Sequence, residues 1–111
     1  MAESVGSGGA PEELFAGLAE ELAPRGVKRG QMFGMACLKD PNGKAFVGLH
    51  GEELVVRLNR DTGEHAAALA LPGSHLFDPM GGRPMKDWIC LTLAQHEQWL
   101  PLAEAARQQP R

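Results

Sequence analysis

The run "RGQMFGMACLKDPNGKAFVGLHGEELVVRLN", residues 29 to 59, decides the fold. Its apolar residues follow a period of two, not the helical 3.6. In "LVVRLN" (54 to 59), Leu54, Val56 and Leu58 make one wholly apolar strand face. "KAFVGLH" (44 to 50) reads as a strand before it, and "RGQMFGMACLK" (29 to 39), apolar on both alternating sets, as a strand before that. The breaks between them are turn chemistry. "DPNG" (40 to 43) sets proline at a turn's second position and adds an Asn-Gly pair that tolerates positive φ, and "GEE" (51 to 53) is a second tight connection. Three consecutive antiparallel strands form a meander.

Toward the N-terminus, residues 1–10 are small and polar and are expected to be disordered. Pro11 suits the first position of a helix, Glu12 and Glu13 favour its positive end, and Leu14, Phe15, Leu18, Ala19 and Leu22 lie on one stripe. Pro24 and Gly26 end it. Beyond the meander, Asp61 or Thr62 caps a short Ala-rich helix over 63–71, stopped by Pro72 and Gly73. "SHLF" (74 to 77) and "MKDWICL" (85 to 91) are two further strands, joined by "DPMGGRP". Thr92 with Gln95 matches a capping box before a helix in which Trp99, Ala103 and Ala106 share a face, and Pro101 should kink or split that helix near 97–100. The expected fold class is α+β, two layers with a five-stranded antiparallel sheet, in the order α-β-β-β-α-β-β-α over one domain at 11–108.

Composition narrows the function. With 111 residues there is room for one domain, and 43% apolar against 23% charged residues is the make-up of a soluble protein. No run approaches the roughly 20 apolar residues of a membrane span, and no secretory leader is visible, so the chain is expected to be cytoplasmic. A net charge of −3 argues against autonomous nucleic-acid binding, because the one basic cluster, Arg25, Lys28 and Arg29, is too short to track a phosphate backbone.

Candidate chemistry is sparse. The four histidines show no metal-ligand spacing with each other or with Cys37 and Cys90, and both cysteines lie in apolar strands, the setting of inert thiols. Asp78 and Asp87 flank the "DPMGGRP" loop as either an acid–base pair or turn-capping residues. Gly81, Gly82 and Arg83 read as an anion nest with a bidentate partner, or as a hairpin connection whose arginine pairs with Asp78 or Asp87. Strand alternation places Val47, Leu49, Leu54, Val56, Leu58, Ile89 and Leu91 on the core face, and Phe46, Val55, Trp88 and Cys90 on an apolar second face. Left uncovered, that second face would serve self-association or a protein partner through Phe46 and Trp88; the alternative is that a terminal helix packs on it. Neither a catalytic residue nor a metal or other cofactor is expected.

The quoted meander, with "MFG" (32 to 34), the "GKAF" hairpin (43 to 46), and "PGSHLFDPMGGRPMKDWICL" (72 to 91), resembles the N-terminal domain of the TfoX/Sxy competence regulators and its stand-alone relatives, over about residues 14 to 106. The resemblance implies a two-layer α+β domain close to the YjbR-like folds. In the full-length regulators a C-terminal domain follows and the protein acts with the cyclic-AMP receptor protein at competence promoters. No such domain fits within 111 residues, so the resemblance implies a non-enzymatic interaction module of unassigned activity. A small-molecule or anion-binding domain centred on "GGRPM" is the alternative.

Overall fold

Residues 28–39 form two strands where the sequence predicts one. The structure, a computed structural model, describes residues 5–109, with side chains from residue 10 onward. Strands β1 (Lys28–Met32) and β2 (Met35–Lys39) pair antiparallel up to Met32↔Met35, and Phe33 and Gly34 turn the chain with φ of 50° and 74°. Two consecutive left-handed residues give the hairpin turn whose twist matches that of its strands. Asn-Gly usually fills it, because a side chain at positive φ costs roughly 1–2 kcal/mol. "MFGM" therefore carries no ordinary turn signal. The sheet has six strands, not the expected five, and the chain order is α-β-β-β-β-α-β-β-α.

The next turns follow their chemistry. Asp40 Oδ1 accepts from the backbone N–H of Asn42 and of Lys44, and Gly43 takes φ 84°, closing the "DPNG" connection into β3 (Ala45–His50). Gly51, at φ 62°, leads into β4 (Glu53–Arg57). Thr62 caps α2 (Gly63–Ala70): its hydroxyl donates to Asn59 O and accepts from His65 N–H. The crossover delivers β5 (His75–Phe77) to the far edge, and β6 (Met85–Leu91) returns between β4 and β5. All pairings are antiparallel, in the order β1-β2-β3-β4-β6-β5.

Helix α1 spans Val5–Leu22 with Pro11 inside it. Of the segment expected to be disordered, residues 1–4 lie outside the described residues and the backbone of 5–10 is helical. At the other end, Thr92 makes no side-chain cap. A 3₁₀ segment (Leu93–Gln98) breaks at Gln95, and α3 (Trp99–Gln108) begins so that Pro101 sits in its first turn, where a missing N–H leaves no bond unmade. Among the described residues no helix is long and apolar enough to cross a membrane.

The three helices share one face of the sheet. Phe15, Leu18 and Leu22 of α1, Ala68 of α2, and Trp99, Ala103 and Ala106 of α3 pack on Leu38, Val47, Leu54, Val56, Leu58, Ile89 and Leu91. Each large side chain buried there contributes about 1.5–3 kcal/mol, and the Trp99 indole donates to Thr92 O. Phe46, placed on the second face by strict alternation, belongs to this core instead. The register slips between Leu38↔Val47 and Lys39↔Ala45, and this bulge turns Phe46 to the same side as Val47.

Among the described residues no helical side chain packs on the second face. Met35, Val55, Phe77 and Cys90 are buried there, with Met32, Met85 and Trp88 half-buried around them. The sheet covers this face by curling. The Phe33 ring at one edge meets Phe77 at the other, His50 packs edge-on against Phe77, and the Met32 and Met35 methyls fill the space above Gly48.

Candidate functional site

A groove of about 750 Å³ opens beside the Gly81–Gly82 loop, a volume within the range of small-molecule pockets. Strand pairing and a bulge build it. Arg57 of β4 pairs with Trp88 of β6, while β5 slips from Leu76↔Ile89 to Phe77↔Met85. The slip leaves residues 86–88 of β6 without partners on β5 and re-aims them at the groove, as bulges beside binding sites do. Arg57, Arg60, Arg83 and Lys86 line it with a single carboxylate, Asp87, and Met80, Met85, Trp88 and two prolines supply the apolar wall. The chain carries −3 overall, yet this groove holds four cations against one anion.

Asp87 is already engaged. Its Oδ1 accepts from Arg60 N–H and Nε–H at 2.8 and 3.0 Å, and Oδ2 from Nη2 at 3.3 Å. These bonds hold the Asp87 carboxyl below its ordinary pKa against the opposing effect of burial. Asp78 is engaged too: it accepts from the N–H groups of Gly82 (2.9 Å) and Arg83 (3.3 Å). The glycine N–H groups are therefore not an open anion nest: that of Gly82 goes to the Asp78 carboxylate and that of Gly81 to the Asp78 backbone carbonyl. Among the described residues neither aspartate is ion-paired with the Arg83 side chain, which is exposed at the groove.

Of the residues singled out in the sequence, Arg83 and Trp88 line the groove, and Gly81 (φ 74°) and Gly82 (φ 103°) lie in the loop that carries Arg83. Phe46 does not; it is fully buried beneath the helices. Sequence reasoning passed over Arg57, Arg60 and Lys86, which stand as isolated surface charges in the chain. The pairing of β4 with β6 is what assembles them. No protein-family model matches this chain, and comparison with curated proteins and with solved structures finds no match.

Proposed function

We propose that the groove binds a small anionic ligand carrying a planar or apolar portion, its carboxylate or phosphate on Arg83 and Lys86 and its ring against Trp88. The observation that carries this is the uncompensated charge: the Arg83 and Lys86 side chains have no carboxylate partner among the described residues, and the one acid lining the groove, Asp87, is engaged by Arg60. Arg suits a forked acceptor, and Trp supplies a flat surface with little entropy to lose. Anion binding fits a groove with four cations whose one lining carboxylate is already paired with an arginine.

The test is a calorimetric and thermal-shift panel of phosphate, sulfate, nucleoside monophosphates and aromatic carboxylates. A ligand at about 100 times its Kd stabilises by about 2.7 kcal/mol, several degrees for a domain of this size. Arg83→Ala and Trp88→Ala should each abolish the shift. Absence of any shift at millimolar ligand rejects the proposal.

One observation favours the interaction-module reading that the TfoX resemblance implies. Phe33 is 62% exposed at a strained φ of 50°, an arrangement that presents an aromatic ring at a hairpin tip. Sedimentation equilibrium of the wild type and Phe33→Ser tests it: a dimer lost in the variant supports that surface.

A further inference from the structure

We propose that Glu53, His75 and Cys90 form a binding site for one divalent transition-metal ion of the zinc class. Each ligand comes from a different one of three adjacent strands, β4, β5 and β6. Cys90 pairs with Val55 on one side and His75 on the other, and Glu53 precedes Val55 by two residues, so all three side chains leave the helix-free face. Their ligand atoms lie within 4.8 Å of one another. His75 Nε2 is 3.1 and 3.2 Å from the two Glu53 oxygens. Tetrahedral zinc, with bonds of about 2.0–2.3 Å, keeps its ligand atoms about 3.3–3.7 Å apart. Small side-chain movements suffice to admit an ion.

The hydrogen bonding of His75 is an independent observation. Its Nδ1 lies 3.1 Å from Leu76 O, which can only accept, so Nδ1 carries a proton. In the neutral ring the Nε2 lone pair then faces two carboxylate oxygens. That convergence of a ring nitrogen and two carboxylate oxygens is a donor arrangement a metal ion fits. An Nδ1–H bonded to a carbonyl is also the outer contact that orients metal-ligating histidines. Coordination by the buried Cys90 sulfur would release the thiol proton to solvent, as it does from other metal-bound thiols. One sulfur, one nitrogen and one oxygen donor suit Zn²⁺ or Co²⁺ better than Mg²⁺ or Ca²⁺. Three protein ligands leave a fourth position, on the exposed side of His75, for water or an incoming donor. The sequence shows no metal motif because strand pairing alone brings these residues together.

The experiment uses the tag-free full chain, stripped with chelator and titrated with Co²⁺ and then Zn²⁺. One equivalent of Co²⁺ should produce a thiolate-to-cobalt charge-transfer band, one equivalent of Zn²⁺ should bleach it, and Zn²⁺ should raise the melting temperature by several degrees. Glu53→Gln and the exposed His75→Ala should weaken Co²⁺ binding at least tenfold, and Cys90→Ser should remove the thiolate band. His50→Ala, outside the cluster, should titrate as wild type. The absence of a thiolate band at micromolar Co²⁺, or binding by His75→Ala as tight as wild type, overturns the proposal and leaves a hydrogen-bonded triad held by protons.

Discussion

The Phe33 ring rests against that of Phe77 with 6.2 Å between centroids, although one belongs to the β1–β2 hairpin and the other to the strand at the opposite edge of the sheet. Contact between the two edges means the sheet curls through more than the ordinary twist of neighbouring strands. Its concave side can then bury Met35, Val55, Phe77 and Cys90 with no described helical side chain over it. The left-handed turn at Phe33 is tied to this closure, since it aims the ring across the sheet.

Two opposed terms meet at Phe33. Phe33→Gly relieves positive-φ strain of roughly 1–2 kcal/mol and loses a contact made by a largely exposed ring, so its stability in urea should lie within about 1 kcal/mol of wild type. Phe77, 2% exposed, has no such offset, and Phe77→Ala should cost about 3–5 kcal/mol. Equal losses in the two variants would contradict the closure.

The bulge in β3 makes a second prediction. Phe46→Ala should destabilise by about 3–5 kcal/mol, because the ring fills the helix-side core, whereas Trp88→Ala, truncating a half-buried side chain, should cost clearly less. Strand alternation without the bulge expects the two to behave alike. Chemical denaturation of both variants decides between them.

The contrast at Phe46 shows how far the sequence could be read. Period-two alternation correctly placed Leu54, Val56, Leu58, Ile89 and Leu91 in the helix-side core, and Val55 and Cys90 opposite them. Alternation assumes an unbroken register, so it failed where the chain bulges, at Phe46, and where an atypical residue turns it, at Phe33. The groove was half legible for a related reason. Gly81, Gly82 and Arg83 form a visible local motif, but Arg57 and Arg60 reach it only through a strand order that local patterns do not encode. The same holds for Glu53, His75 and Cys90.

Acid should probe the Arg60–Asp87 pair. Hydrogen bonds from Arg60 lower the Asp87 pKa from its ordinary value of 3.8. A depressed folded pKa stabilises the protein above the unfolded value, and that contribution is lost as pH falls through the folded value. Asp87→Asn should therefore melt below wild type at neutral pH and converge with it in acid, once the pH has fallen below the ordinary carboxylate range. The difference should be at most a few degrees, because Arg60 is half exposed. A gap that persists unchanged in strong acid would place the effect elsewhere.

The loop itself supplies the last prediction. Asp78 accepts from both Gly82 and Arg83 N–H, and Gly82 takes φ 103°, a conformation that side-chain-bearing residues resist. These two features together fix where Arg83 enters the groove. Asp78→Ala removes the acceptor from an exposed turn and should cost about 1 kcal/mol; Gly82→Val adds strain with no compensating contact, since open space surrounds that position. Both should lower stability modestly while weakening a groove ligand as strongly as Arg83→Ala does, because a wandering arginine must be ordered again on binding. Asp78→Asn keeps a carbonyl acceptor and should retain most of the affinity. Isothermal titration with whichever anion shifts the wild type decides the matter: full affinity in Asp78→Ala would show that the loop does not position Arg83.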